Sequence, residues 1–142
     1  MAEEFKAELT VQSSMEQLEK IRGFVSKAAE MFGFKEDDGY KIVLAVDEAC
    51  SNIIRHGYGK NSDEKLHIVI QTADNRFTVT VNDNGKSYDI RTHPLPDMET
   101  YLASKKKGGL GIKLIRALVD EIEYEHRNGE NKLVLVKRLP AR

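Results

Sequence analysis

The amino-acid sequence predicts an α+β fold: a two-layer sandwich in which a mostly antiparallel sheet carries helices on one face. Two observations predict this architecture. Short segments of alternating apolar and polar residues indicate strands, and longer segments with apolar residues three or four positions apart indicate helices. Their order is strand, two helices, two strands, a long polar loop, a helix and two strands. The length of 142 residues predicts one domain, residues 1–142.

The five strands are predicted from this alternation and from the turn residues between them. Ala73-Asp74-Asn75 and Asn128-Gly129 are turn sequences that join neighbouring strands into hairpins. In chain order, the predicted strands are Phe5–Val11, Leu66–Ile70, Phe77–Val81, Glu121–His126 and Lys132–Lys137.

The first helix has a beginning and an end that the sequence indicates. Ser13-Ser14-Met15-Glu16 resembles a capping box, with Ser13 as N-cap and Glu16 reaching back to its amide. Apolar residues at helical spacing continue to about Phe32, and Gly33 favours a left-handed cap there.

The second helix opens with the acidic run Glu36-Asp37-Asp38, whose charges suit the positive end of a helix dipole. Gly57 ends it. A third helix is predicted from about Leu110 to Val119. The apolar stripe of the second helix consists of Ile42, Val46, Ala49 and Ile53.

The composition excludes several classes of protein. With a net charge of −1, the chain has no overall field that would draw it to nucleic acid or to a membrane. Its one cysteine, Cys50, excludes an internal disulfide and suits a reducing compartment. No apolar run approaches the roughly 18 residues of a membrane span, and Met1–Glu4 does not resemble a signal peptide. We therefore expect a cytoplasmic protein without a nucleic-acid or membrane partner.

Polar residues on the second helix form the first candidate site. Glu48 and Asn52 are four positions apart and share a helix face. The apolar stripe lies opposite, so this set is predicted to look away from the deepest core. A solvated face would explain it. However, asparagine is a poor helix former, and nothing about folding requires it at this position.

Two further segments are candidates for ligand binding. Asp83-Asn84-Gly85 follows a predicted strand. It is either a simple turn or a binding segment in which the Asp83 carboxylate accepts a hydrogen bond from a ligand amino group. Gly108-Gly109-Leu110-Gly111 leads into a helix, where free amides can bind phosphate, or it is a hinge. Lys105-Lys106-Lys107 could add charge near the phosphates or be a solvated run. Neither a Walker A loop nor a dinucleotide fingerprint is present.

In this order, the three segments resemble the motifs of the GHKL ATPase superfamily, whose ATP-binding domain is the Bergerat fold. Asp47–Tyr58 resembles the asparagine box, Asp83-Asn84-Gly85 the first glycine box, and Gly108–Gly111 the second. The strings DEACSNIIRHGY and GGLGIKLIRALVDEIEYE are typical of the anti-sigma-factor serine kinases within that superfamily. The resemblance covers about residues 5 to 140.

The resemblance implies roles for individual residues. Glu48 would be the catalytic base, and Asn52 would bind the magnesium that bridges the ATP phosphates. Asp83 would accept from the adenine amino group, with Gly85 allowing close approach to the ring. Residues 86–107 would form a lid. The phosphate-binding set would be Lys107, Gly108, Gly109, Leu110 and Gly111.

The function implied is an ATP- and Mg²⁺-dependent serine/threonine protein kinase that phosphorylates an anti-sigma-factor antagonist in a partner-switching system. The resemblance also implies binding of a sigma factor or another regulator, and a homodimer. The alternative is an ATP-gated binding module that sequesters a regulatory protein without kinase activity. Glu48 favours the kinase, because a pure binding module has no use for a base, but a structural role would also account for this glutamate. A plain structural domain would require three coincident motifs.

Overall fold

A computed structural model describes residues 4–57, 64–84 and 109–140, and within its helices the side chains of residues 56, 57 and 109–112 are not described. A single 3₁₀ turn, Met15–Gln17, precedes the first helix. The helices are α1 Leu18–Phe32, α2 Glu36–Gly57 and α3 Gly109–Leu118. The strands are β1 Lys6–Gln12, β2 Lys65–Ala73, β3 Arg76–Asp83, β4 Glu121–Arg127 and β5 Glu130–Arg138.

The described strands form one five-stranded sheet in the order β1-β2-β3-β5-β4, and all of its neighbouring pairs are antiparallel. The last two strands exchange order because β5 pairs with both β3 and β4, which leaves β4 at the edge. This architecture confirms the predicted α+β sandwich. The predicted order of strands and helices is also confirmed.

One face of the sheet is apolar and packs against the helices. Side chains alternate across a strand, so the inward positions of paired strands stack on each other. Val79, for example, pairs with Ile70 on β2 and Leu135 on β5, and all three are fully buried. Phe34 packs edge-on against Phe77 with ring centroids 5.4 Å apart, and Phe32 is tilted against Phe77 at 5.5 Å. These contacts tie the end of α1 to the sheet.

Helix α2 contacts both α1 and α3 as well as the buried core. The Arg22 guanidinium on α1 binds the Asp47 carboxylate on α2 at 2.8 Å. Gly33 ends α1 at φ 105°, and its amide donates to the Ala29 and Glu30 carbonyls, as the left-handed cap requires. Neighbours on several sides bury a large part of the α2 surface.

The predicted capping box is wrong by one residue. Ser14, not Ser13, caps the 3₁₀ turn, and its Oγ accepts from the Glu16 amide at 3.3 Å. Ser13 is buried instead, and its own amide donates to the Glu64 carbonyl at 2.7 Å. The tertiary contact with Glu64 continues the strand pairing past Gln12, which moves the cap to the next serine.

Both predicted hairpin turns are present. Asp74 has φ 54° in the first, and Asn128 and Gly129 have φ 53° and 77° in the second. In the second turn, positive φ at both central residues matches the twist of the strands on either side. In the described part of the chain, no helix combines the length and apolar character needed to cross a bilayer.

Candidate functional site

The Asp83 carboxylate is buried because alternate side chains of β3 point into the core and Asp83 is one of them. Phe77, Val79 and Val81 point into the core, and Asp83 occupies the next inward position at the end of β3. Only 5% of Asp83 is exposed. A simple solvated turn would leave this side chain in water, so the burial favours the interpretation as a ligand acceptor over the interpretation as a turn.

Asp83 is held by a side chain that the sequence analysis missed. The Asn131 Nδ2 on β5 donates to Asp83 Oδ1 at 3.0 Å. The Tyr124 hydroxyl donates to Asn131 Oδ1 at 2.7 Å, and His126 Nδ1 lies 2.6 Å from the same oxygen. The sequence contained an indication of this role. Asn131, Leu133 and Leu135 are alternate residues of one strand, so their side chains point to the same buried face. The predicted strand began at Lys132, one residue too late to include it.

Asn52 on α2 is also buried, with 1% of its surface exposed. This contradicts the expectation that the polar side of α2 looks away from the core. The reason is that α2 packs against α1, α3 and the sheet core at once. Its buried surface is therefore wider than the single apolar stripe seen in the sequence. The interpretation as a solvated face is therefore wrong for Asn52.

The amide of Asn52 is unsatisfied within residues 4–57, 64–84 and 109–140. Neither its Oδ1 nor its Nδ2 has a hydrogen-bond partner. Burying a polar group without a partner costs about 1–3 kcal/mol, so folding gains nothing from an asparagine here. An amide oxygen is a ligand that magnesium accepts, and the amide nitrogen is a donor for phosphate oxygens. The residue therefore fits a magnesium nucleotide.

Two adjacent carboxylates on α2 have different environments. Asp47 is engaged by Arg22. Glu48 is half-buried and makes no side-chain hydrogen bond or ion pair with the described part of the chain. Because Glu48 is one helical turn before Asn52, the two Cβ atoms are about 5–6 Å apart. Of these two carboxylates, Asp47 is therefore the one with an ion pair among the described residues.

Cys50 lies on α2, two residues before Asn52. It is fully buried, as expected for a small apolar side chain. Burial raises the pKa of the thiol well above its usual range, and the negative charges of Asp47 and then Asp83 raise it further. Cys50 on α2 and Val81 on β3 belong to the same buried core.

The remaining predicted residues are described only in part. Gly85, Lys107 and Gly108 lie outside the described residues, as does the predicted lid. Gly109, Leu110 and Gly111 form the first turn of α3, so the helix begins within the glycine segment as predicted. Helix amides at such a terminus are donors for phosphate.

Comparison with known proteins identifies the family to which the chain is related. Residues 11–137 match the histidine kinase-like ATPase domain. A serine-protein kinase RsbW from Bacillus cereus (strain AH820) is 33% identical over 139 residues, which cover 94% of this chain and 86% of the relative. A protein of the same name from Bacillus thuringiensis (strain Al Hakam) is 32% identical over 140 residues, with the same coverage.

A solved structure has the same fold. It contains the RsbU and RsbW domains of a Mycobacterium tuberculosis protein, and superposes with a TM-score of 0.69 at 22% identity. The match covers 97% of this chain and 34% of the solved chain, so the present chain spans about a third of that protein. The match over most of the sequence and the identity to the Bacillus proteins lead to one conclusion: the chain belongs to the histidine kinase-like ATPase domain family.

Proposed function

We propose that the protein is an ATP-dependent serine/threonine protein kinase whose substrate is an anti-sigma-factor antagonist in a partner-switching system. The buried amide of Asn52 carries this proposal, because it has no hydrogen-bond partner among the described residues and a magnesium nucleotide would supply one. The serine-protein kinase relatives from Bacillus support the activity.

The nucleotide would lie between α2, the end of β3 and the start of α3. Asp83 would accept from the adenine amino group, and Gly85 would allow close approach to the ring. Lys107 and the segment Gly108–Gly111 would supply charge and amide donors to the phosphates. Asn52 would be a protein ligand of the magnesium ion, whose positive charge offsets charge on the phosphates during transfer.

Glu48 is assigned as the base. In the proposed reaction, the hydroxyl oxygen of a substrate serine or threonine attacks the γ-phosphorus as the bond to the β-phosphate oxygen breaks. ADP leaves, and the hydroxyl proton passes to the Glu48 carboxylate. The half-buried position of Glu48 and the engagement of its neighbour Asp47 by Arg22 support this assignment.

The partners and the location belong to the same proposal. We propose that the protein also binds a sigma factor or another regulator, works as a homodimer and is cytoplasmic, where ATP and such partners meet. The measurement for the dimer is light scattering coupled to size exclusion. A monomer at working concentrations would contradict that part alone.

The second candidate is an ATP-gated binding module without kinase activity, and Glu48→Gln distinguishes the two. The kinase proposal predicts that transfer of radiolabelled γ-phosphate to an antagonist protein falls by about 10²–10⁴-fold, while the Kd for Mg-ATP changes little. Asp47→Asn is the matched control, since Asp47 binds Arg22 at a partly exposed site.

Calorimetric titration with Mg-ATP tests the site itself. Wild type should bind, and both Asp83→Asn and Asn52→Ala should weaken binding. No binding by wild type at millimolar nucleotide would contradict the ATP site. Undiminished transfer by Glu48→Gln would contradict the assignment of the base.

A further inference from the structure

The Asp83 carboxylate is one end of a hydrogen-bonded chain that crosses three strands. The sheet register places His126 of β4 opposite Asn131 of β5, and Asn131 opposite Asp83 of β3. Tyr124 lies two residues before His126 and therefore points to the same face. The contacts of 3.0, 2.7 and 2.6 Å join all four side chains through the Asn131 amide.

The chemistry of these groups fixes the direction of each hydrogen bond. A carboxylate accepts, so the amide nitrogen of Asn131 must face Asp83 and the amide oxygen must face β4. That oxygen also accepts, so the Tyr124 hydroxyl donates to it and His126 Nδ1 carries a proton. The reversed amide would place its oxygen against the carboxylate, so only one orientation of Asn131 satisfies Asp83, Tyr124 and His126 together.

The network restricts the Asp83 carboxylate. Asn131 is 3% exposed and Asp83 is 5% exposed, so little water competes for their hydrogen bond. Two donors on β4 fix the Asn131 amide, and its Nδ2 in turn fixes Asp83 Oδ1. An acceptor held in one plane accepts from a ligand amino group only along set directions. A fixed direction strengthens the preference for a ligand with a correctly placed amino group, because the acceptor does not have to be ordered when the ligand binds.

We propose that Asn131, held by Tyr124 and His126, is a positioning residue that aims the Asp83 carboxylate at the 6-amino group of adenine. The inference rests on the proposed ATP site and deepens it. Asn131 and its two donors thereby set the preference of the site for adenine over purines without a 6-amino group. Nucleotide discrimination is then a property of the β4–β5 hairpin as well as of Asp83.

The experiment compares two nucleotides on the full-length chain. Titration calorimetry measures the Kd of ATP and of purine riboside triphosphate, which carries hydrogen in place of the 6-amino group. Wild type should prefer ATP. Asn131→Ala should raise the Kd of ATP by about tenfold, because a hydrogen bond to a charged group contributes about that factor or more to binding. It should change the Kd of the analogue by less than about twofold, the size of ordinary neutral substitutions.

The matched control is Asn82→Ala. Asn82 directly precedes Asp83 and pairs with Lys132. Because successive side chains of a strand alternate, Asn82 points to the opposite face of the sheet. Both Kd values should stay at the wild-type level in this variant. Tyr124→Phe deletes a single hydroxyl and serves as a milder second variant, with ATP binding weakened by about two- to fivefold, the value of one ordinary hydrogen bond.

The double variant Asp83→Asn/Asn131→Ala tests whether Asn131 acts through Asp83. The inference requires that the double variant binds ATP no more weakly than Asp83→Asn alone, because a positioning residue has no effect once its target has changed. An additional loss would overturn it. Equal weakening of ATP and of the analogue by Asn131→Ala would also overturn it, since that pattern indicates general support of the fold.

Failure of this inference and failure of the proposed function give different results. If wild type binds ATP and the analogue equally, the ATP site stands and the positioning role is overturned. If wild type binds neither nucleotide, the proposed function is overturned and this inference falls with it.

Discussion

The molecule buries two asparagines in opposite ways. Asn131 on β5 is 3% exposed and connects Asp83 to Tyr124 and His126. Asn52 on α2 is 1% exposed and has no hydrogen-bond partner in the described part of the chain. The residue type and the degree of burial are the same, and only the surroundings differ.

This difference separates support of the fold from readiness for a ligand. The Asn131 amide is satisfied by the protein, so its hydrogen bonds stabilise the folded state and fix neighbouring groups. The Asn52 amide has no partner among the described residues, and a buried amide without a partner costs stability that a bound ligand would restore. A buried polar group of the second kind indicates a binding site more strongly than one of the first.

The same substitution at the two positions should therefore have opposite effects on stability. Asn131→Leu removes the Asn131 donor from the buried Asp83 carboxylate and should lower the free energy of unfolding by about 3 kcal/mol. Urea denaturation followed by circular dichroism measures this. An unchanged midpoint would mean that the chain of hydrogen bonds contributes nothing to folding.

Asn52→Leu should abolish Mg-ATP binding, with an increase in Kd of at least about 100-fold, equal to about 2.7 kcal/mol. It should also raise the free energy of unfolding by about 1 kcal/mol, because an apolar side chain of similar size replaces an unsatisfied amide. Titration calorimetry and urea denaturation of the same sample give both numbers. A less stable Asn52→Leu protein would show that Asn52 supports the fold, as Asn131 does.

Cys50, two residues before Asn52 on α2, offers a smaller test of how well this part of the core excludes water. Because the folded-state pKa of its thiol is raised, the unfolded chain loses the thiol proton first as the pH increases. The contribution of Cys50 to the free energy of unfolding is therefore constant below the unfolded-state pKa of about 8.5. Above that pH it decreases, because only the unfolded chain releases the thiol proton. At pH 9.5 the loss should be about 1.4 kcal/mol relative to neutral pH.

The Cys50→Ala variant isolates this effect from other groups that titrate in alkali. The difference in unfolding free energy between wild type and Cys50→Ala is measured by urea denaturation at pH 7 and pH 9.5. A difference that stays constant between these pH values would mean that water reaches the thiol in the folded state.

Much of the fold could be predicted because its signals are local. Alternation of apolar residues predicted five strands, and helical spacing predicted the long helices. The turns at Asp74 and Asn128-Gly129 depend on a few residues that tolerate positive φ. The Ser13 cap was wrong because the pairing of its amide with Glu64, 51 positions away, decides where the strand ends.

By itself, the sequence determined the fold class, the order of the elements and the three motifs that identify an ATPase domain. Each of these depends on residue type and spacing along the chain. Only the tertiary structure decided that Asn52 is buried, because burial of a helix face depends on how many elements cover it. It also decided that Asn131 meets Asp83, since a register between strands 48 residues apart brings them together. Hydrogen bonds across the sheet and the packing of three helices are non-local, and no periodicity in the chain encodes them directly.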